Sequence, residues 1–295
     1  MRTANKVKMR FDLSDGIAMP VTIWSVQASA KVPVVCLHSL FFSGEMFSEV
    51  AAKLAVDRTV FAPTYRGHAG VPTHGKQATV EQLAKDVLEF MDTAALDRAH
   101  FVGSSMGAYV AMEILKRAPK RIASIILSCC TGAREANPGR FDKLADFIAT
   151  GPHVETAQTL AELMFGENTC AAPNDVVLSW IEIFGQTSSE MSQAVRAMFA
   201  HPDYGATLRG YSGPALLLAG AQDRAKSPTD MGKIAVNMPQ AETYVFDGVG
   251  HTPAVEDPIK FAARIHDFTA SADKKATPTS PPKFLASNKD KNHVI

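Results

Sequence analysis

The chain has 295 residues, of which 46% are apolar and 20% are charged, and its 30 basic residues balance its 30 acidic ones. This composition excludes a disordered or collagen-like chain, because it supplies ample apolar side chains for a core and has no glycine period. A net charge of zero disfavours nucleic-acid binding, and no apolar run reaches the roughly 20 residues that span a bilayer. The basic N-terminus lacks the apolar region of a signal peptide. We therefore expect a soluble, cytoplasmic protein that binds neither nucleic acid nor membranes.

Short apolar segments alternate with amphipathic ones along most of the chain. The N-terminal pair KVKMRFDL and MPVTIWSV, separated by SDGIA, predicts an antiparallel hairpin at the edge of a sheet. Apolar spacing predicts helices over residues 79–93 and 105–117, the second ending before Pro119. Short runs rich in apolar residues indicate strands of a parallel sheet, several of them buried on both faces. These predicted strands are residues 32–38, 58–63, 98–103, 121–130, 214–220 and 242–248.

Strand–helix alternation stops between about residues 132 and 207. Four helical patterns follow one another there without a strand, namely FDKLADFIAT, ETAQTLAELMF, NDVVLSWIEIFG and SSEMSQAVRAMFA. We expect an α/β core formed by residues 1–131 and 208–271, with a mostly parallel sheet, flanking helices and a helical cap inserted at 132–207. Residues 272–295 are rich in Pro, Ser, Lys and Asn without a periodic apolar face, which predicts a disordered tail.

A possible nucleophile lies between a predicted strand and a predicted helix. Gly103-Ser104-Ser105-Met106-Gly107 matches G-x-S-x-G, and a tight strand-to-helix turn there lifts the hydroxyl of Ser105 out of the sheet. The two glycines are required where side chains would collide with neighbouring backbone. Ser104 is the alternative by adjacency, but it occupies the x position and should face away.

A nucleophilic serine needs a base, and the base needs an acid that orients it. His251 lies just after the last predicted strand, on a loop at the carboxyl edge of the sheet. Asp223 follows strand 214–220 directly and is the favoured acid. Asp247 is a rival, although it precedes His251 by only four residues and fits a turn. No carboxylate follows strand 121–130 until Glu135.

These segments together resemble the α/β-hydrolase family, serine-hydrolase branch. The family's HG-x motif after the third strand corresponds to His38-Ser39-Leu40, with Ser39 where glycine is usual. The resemblance implies that the amides of Leu40 and Met106 stabilise the oxyanion. FAPTYRGHAG is similar to the family's D-x-R-G-H-G-x-S stretch, but Thr64 and Ala69 replace the aspartate and a glycine, and Arg66 and His68 are expected to be structural. The four cysteines (Cys36, Cys129, Cys130 and Cys170) show no metal-ligand spacing and are read as reduced thiols, the first three buried.

The resemblance also narrows the range of expected activities. Ser105 stands where haloalkane dehalogenases and epoxide hydrolases have an aspartate, and Thr252 stands where meta-cleavage product hydrolases have an aromatic residue. Cofactor-free dioxygenases place their acid after the sixth strand, where this chain reads CCTGAR. We expect a hydrolase of a small ester or lactone without metal or cofactor, most similar to 3-oxoadipate enol-lactonases. C–C bond hydrolysis and a receptor with a vestigial triad remain alternatives. Candidate pocket residues are His38, Phe41, Met106, Phe165, Trp180, Ile183 and Phe184.

Overall fold

The computed structural model describes residues 4–25, 29–151 and 154–274. An eight-stranded sheet in the order β1-β2-β4-β3-β5-β6-β7-β8 forms its centre. The strands that contact β2 pair antiparallel with it, and all other pairs are parallel. The strands are β1 Asn5–Asp12, β2 Ala18–Ser25, β3 Val34–Leu37, β4 Val60–Pro63, β5 Ala99–Ser104, β6 Ile122–Ser128, β7 Ala215–Gly220 and β8 Glu242–Phe246.

The sheet confirms the sequence prediction of a mostly parallel α/β core. Every residue of β3, β4, β5, β6 and β7 is buried, which explains why these strands are apolar rather than alternating. The predicted hairpin is also present, since β1 pairs with β2 from Asn5 opposite Ser25 to Asp12 opposite Ala18. Gly16 lies in its turn with φ of 84°, a conformation that favours glycine.

Helices flank the sheet and fill the segment between β6 and β7. Helix α2 begins where Thr79 Oγ1 accepts a hydrogen bond from the Gln82 amide at 3.2 Å. Helix α3 starts directly after β5, as predicted. The helices are α1 Ser48–Leu54, α2 Val80–Thr93, α3 Met106–Arg117, α4 Asp142–Ala149, α5 Val154–Met164, α6 Glu167–Ala171, α7 Asp175–Gly185, α8 Met191–Phe199, α9 Gly205–Arg209, α10 Pro228–Asn237, α11 Pro253–Glu256 and α12 Pro258–Lys274.

Between β6 and β7, the described residues are helical or irregular and contain no strand. Helix α5 packs on α7 and α4 packs on α8, so two helix pairs bury their apolar faces against each other. Helix α9 contacts α3 and α10, which flank the sheet. The expected boundary of the insertion at residue 207 therefore falls inside a helix that packs on the core.

Residues 272–274, which the sequence placed in a disordered tail, belong to a helix. Helix α12 continues to Lys274, and Ala272 is buried. Asp273 accepts a hydrogen bond from His100 Nε2 at 3.0 Å and forms an ion pair with Arg58 Nη2 at 3.2 Å. Ala272 continues the spacing of the buried residues Phe268 and Thr269, and the contacts of Asp273 hold the last turn of the helix. Residues 275–295 lie outside the described part of the chain.

We expect Asp273→Asn to destabilise the fold by about 1–2 kcal/mol at pH 7, because it weakens the pairing of the fully buried Arg58. Burial raises the pKa of Asp273, but His100 and Arg58 outweigh burial and hold this pKa below its usual value. The extra stability of the wild type is therefore present above about pH 4 and is lost as the pH falls through the lowered pKa. Urea unfolding of the wild type and of Asp273→Asn, at pH 7 and in acid, measures this difference in unfolding free energy.

Asp267→Asn serves as the matched control, because Asp267 lies on the same helix but is 82% exposed. It should change the unfolding free energy by less than about 0.5 kcal/mol. An Asp273→Asn variant as stable as this control at pH 7 would contradict the assigned role.

Within residues 4–25, 29–151 and 154–274, no helix combines the length and the apolar character needed to cross a membrane. All four cysteines are free thiols, and Cys36, Cys129 and Cys130 are buried as expected from the sequence.

Candidate active site

Ser105 occupies a sharp turn between β5 and α3. Its φ and ψ angles are 51° and −111°, a conformation that is rare for any residue except glycine. Its amide donates a hydrogen bond to the carbonyl of Ser128 at 2.9 Å, which fixes the turn to the end of β6. Such strain in a non-glycine residue is found where the surrounding structure enforces it, commonly at functional sites.

The two motif glycines make this turn possible. A Cβ atom on Gly107 would lie 1.9 Å from the carbonyl oxygen of Leu37, and one on Gly103 would lie 2.5 Å from that of Gly107. No side chain fits at either position. Ser104, the alternative nucleophile, is fully buried, and its hydroxyl has no hydrogen-bond partner among the described residues.

Asp223 and His251 are in direct contact. Asp223 Oδ2 lies 2.8 Å from His251 Nδ1, and both side chains are buried. The other oxygen, Oδ1, accepts the amides of Ala225 and Lys226, each at 2.8 Å. Because a carboxylate faces Nδ1, that nitrogen carries the ring hydrogen and Nε2 is left as a proton acceptor. Asp247, the rival acid, is exposed in the turn after β8.

Glu256, at the end of α11, holds the loop that carries His251. Its carboxylate accepts hydrogen bonds from the amides of Gly250, Thr252 and Gly166 and from the hydroxyl of Thr169. Gly166 lies between α5 and α6, so one carboxylate ties the histidine loop to the helical insertion. The sequence interpretation missed this residue, although it lies only five positions after His251.

The loop after β3 approaches Ser105 from the other side. Leu40 lines the same cavity as Ser105, and Met106 is the first residue of α3. Ser39 replaces the usual glycine, yet the left-handed conformation in this loop falls on Phe41, with φ of 69°. With serine at position 39, the loop still lies beside the nucleophile, since Leu40 and Phe41 line the same cavity as Ser105.

His38 has a structural role and lies outside the cavity, contrary to its place among the candidate pocket residues. Its Nε2 accepts the Tyr65 amide at 3.1 Å, and its Nδ1 lies 2.8 Å from the Ser39 carbonyl. Complete burial, together with the charge of His68, lowers the pKa of His38 well below its ordinary value. A neutral ring thus joins β3 to the segment after β4.

Arg66 also belongs to the framework, as the sequence suggested. Its guanidinium is buried and contacts Asp86 through Nε at 2.5 Å and Asp15 through Nη2 at 2.8 Å. His68 is buried with its Nδ1 3.0 Å from the Arg66 carbonyl.

A narrow cavity of about 30 Å³ connects Ser105 with His251. That volume is far below the roughly 300–1,000 Å³ of ligand pockets. The walls come from the core and from α4, α5 and α8 of the insertion, and they are mostly apolar. The lining residues are Leu40, Phe41, Ser105, Tyr109, Phe141, Leu144, Leu163, Met164, Met198, Phe199, Ala225, Lys226 and His251.

Of the candidate pocket residues, Phe41 lines this cavity, whereas Phe165, Trp180 and Phe184 do not. These three rings pack around Phe42, with centroid distances of 6.4, 4.6 and 5.2 Å respectively. Ile183 points outward and is 46% exposed. The aromatic residues of α7 thus join the insertion to the core, while α4 and α8 supply the pocket walls that the sequence interpretation did not identify.

We therefore expect Trp180→Ala to act on stability rather than on substrate preference. Trp180 is 7% exposed, and removing a buried tryptophan ring costs about 3–5 kcal/mol. Urea unfolding measures the loss, and a series of p-nitrophenyl esters of increasing acyl length measures preference.

Leu144→Ala is the matched variant, because Leu144 lines the cavity. It should shift the preferred acyl length at a smaller cost in stability. If Trp180→Ala shifted the preference and Leu144→Ala did not, the assignment of the pocket walls would be wrong.

Cys129 lies beside the Asp223–His251 pair, and one ligand atom of each residue falls within 4.8 Å of the others. Burial raises the pKa of the Cys129 thiol well above its ordinary value, and Asp223 adds to that shift. Metal binding needs the thiolate, and the histidine and aspartate atoms already bond each other. The donor set therefore does not favour a bound cation.

Residues 34–264 match the model of the Alpha/beta hydrolase family. The chain belongs to this family, as the sequence resemblance indicated.

The chain is similar to hydrolases of different kinds. The chain is 26% identical over 190 residues to a 2-hydroxy-6-oxononadienedioate/2-hydroxy-6-oxononatrienedioate hydrolase of Burkholderia vietnamiensis, covering 60% of this chain and 64% of that protein. It is 24% identical over 247 residues to the pimeloyl-[acyl-carrier protein] methyl ester esterase of Aromatoleum aromaticum, covering 79% and 96%.

Solved structures share the fold. A thermophilic esterase from Thermogutta terrifontis superposes with a TM-score of 0.79 at 22% identity, over 92% of this chain and 100% of its own. The enol-lactonase from Burkholderia xenovorans LB400 gives 0.75 at 22% identity, over 86% and 97%.

Proposed function

We propose that the protein is a serine hydrolase that cleaves a small ester or lactone through an acyl-enzyme intermediate. The observation that carries this proposal is the convergence of a strained Ser105 and an Asp223-bound His251 on one buried cavity. Nucleophile, base and orienting acid occur in the chain order serine, acid, histidine that this fold uses.

In the proposed first step, His251 Nε2 takes the hydroxyl proton of Ser105 while its oxygen attacks the carbonyl carbon. Asp223 keeps the hydrogen on Nδ1 and stabilises the imidazolium that forms. The amides of Leu40 and Met106 stabilise the oxyanion of the tetrahedral intermediate. The leaving alcohol then departs with the proton from His251.

In the second step, His251 takes a proton from water, and the resulting hydroxide attacks the acyl carbon of Ser105. Collapse of this second intermediate releases the carboxylic acid and returns the proton to Ser105. The sequence of steps needs no metal ion and no organic cofactor, so added chelator should leave the rate unchanged.

C–C bond hydrolysis is the second candidate. It is favoured by the names of the dioate hydrolases among the relatives. In this chain the residue after His251 is Thr252, whose hydroxyl donates to the carbonyl of Met164 at 2.9 Å. Thr252 therefore binds the end of α5 and presents no aromatic ring to a substrate. For this reason we rank ester hydrolysis first.

Steady turnover of p-nitrophenyl acetate tests the proposal against a receptor that keeps a vestigial triad. We expect many turnovers per protein molecule, with product formation linear in time. A background rate, or one stoichiometric burst, would favour the receptor. Parallel assays with an enol-lactone and with a vinylogous 1,5-diketone separate lactone hydrolysis from C–C cleavage.

We also propose that the protein works in the cytoplasm on small molecules, without nucleic acid or membrane partners. Support comes from the four free cysteines and from the balanced charge of the sequence.

A further inference from the structure

A buried ion pair lies beside the proposed catalytic residues. Lys226 follows Asp223 by three positions, and its Nζ is 3.2 Å from Glu135 Oε2. The two side chains are only 11% and 9% exposed. An ammonium group with so little exposure is stabilised by an anionic partner, because an unpaired buried charge is strongly destabilising.

Lys226 borders two spaces at once. It lines the catalytic cavity together with Ser105 and His251. It also lines an outer cleft of about 470 Å³. Ala225 is the other residue common to both linings, so these two residues form the wall between the cleft and the catalytic residues.

The outer cleft carries an excess of cations. Its charged lining residues are Arg134, Glu135, Arg224, Lys226, Asp230 and Lys233. Asp230 is already paired with Lys233 at 3.0 Å. The guanidinium groups of Arg134 and Arg224 have no carboxylate partner in the described part of the chain. Such a cleft attracts anions toward the wall that Lys226 forms.

The catalytic cavity as it stands is too small for a substrate. Its volume of about 30 Å³ is far below the roughly 300–1,000 Å³ of ligand pockets, so substrate entry requires the covering segment to shift. That segment includes Phe141 and Leu144, and Glu135 lies on the chain that leads into it. A shift that separates Glu135 from Lys226 leaves a buried ammonium group without its counter-ion.

We propose that Lys226 is a specificity-determining residue that binds a carboxylate of the substrate in place of Glu135. The inference rests on the proposed function and names its substrate class: an ester or lactone with a free carboxylate on the part remote from the reacting carbonyl. A carboxylate is the anion favoured, because the group that Lys226 holds at present is itself a carboxylate.

Two p-nitrophenyl esters of similar length test the inference. The mono-p-nitrophenyl ester of glutaric acid carries a free carboxylate, and p-nitrophenyl pentanoate is neutral. We expect the wild type to prefer the glutarate ester by about tenfold or more in kcat/KM. Lys226→Met should lower that ratio about tenfold, mainly through KM of the charged ester. Glu135→Gln should lower KM for the same ester, because it removes the competing carboxylate.

Lys260→Met is the matched control. Lys260 also pairs with a carboxylate, Asp257 Oδ2 at 3.4 Å, but it is exposed and lines neither space. The control should keep the ratio of the wild type. Circular dichroism and a melting curve check the folding of each variant, and Glu135→Gln provides an independent readout should Lys226→Met fail to fold.

The inference is overturned if Lys226→Met lowers kcat/KM for both esters by the same factor, or if the wild type does not prefer the charged ester. Turnover of the neutral ester with an unchanged ratio would refute this inference alone. Absence of turnover for both esters would refute the proposed function. In that case the affinity for glutarate, measured by calorimetry for the wild type and Lys226→Met, still decides whether Lys226 binds a carboxylate.

Discussion

Ser105→Ala should reduce the kcat for ester hydrolysis by about 10⁴–10⁶, the range found when a member of a catalytic triad is removed. The hydroxyl oxygen is the only non-hydrogen atom that the substitution removes. Ser105 is 6% exposed and lies at the wall of the cavity. Alanine keeps the Cβ atom of serine, so the backbone strain at this residue is unchanged and the variant should fold. Steady-state rates with p-nitrophenyl acetate and a melting curve test both statements.

Ser104→Ala is the matched control for this experiment. The Ser104 hydroxyl is buried without a hydrogen-bond partner among the described residues, so its removal should leave the rate within about threefold and the stability equal or higher. If Ser105→Ala kept more than about a tenth of the wild-type rate and Ser104→Ala did not, the assignment of the nucleophile would be wrong.

Much of the fold could be predicted from the sequence because its signals are local. Apolar runs mark strands buried on both faces, and the strand–glycine–serine–helix order places Ser105 at the end of β5. Parallel strands put their carboxyl ends at one edge, so residues that follow β7 and β8 were expected to meet there. Asp223 and His251 lie on those loops and are in contact.

The pocket walls could not be predicted, because periodicity shows that a helix has an apolar face but not what that face contacts. Trp180 and Leu144 both lie on amphipathic helices, yet Trp180 packs on Phe42 while Leu144 lines the cavity. The other difference is that residues 272–274 belong to α12 and not to a tail, and a long-range contact holds them there. His100, the partner of Asp273, is 173 positions away, and no local pattern indicates that this contact extends α12.

Asp223→Asn should lower kcat/KM for ester hydrolysis by about 10⁴ while preserving the fold. The amides of Ala225 and Lys226 both donate to Oδ1, so the carbonyl oxygen of an asparagine must occupy that position. Its NH₂ group then faces His251 Nδ1 and donates to it. This arrangement forces the ring hydrogen onto Nε2, the nitrogen that must accept the proton of Ser105. Steady-state kinetics with p-nitrophenyl acetate measures the loss.

Asp247→Asn separates this role from a general effect of removing a carboxylate near the histidine. Asp247 is exposed in the turn after β8, and it lies only four residues before His251. Its substitution should leave kcat/KM within about twofold, because an exposed turn residue contributes little to the site. A large loss in Asp247→Asn together with a small one in Asp223→Asn would show that the acid follows β8 rather than β7. The carboxylate bound to His251 Nδ1 would then be a structural partner of the histidine loop.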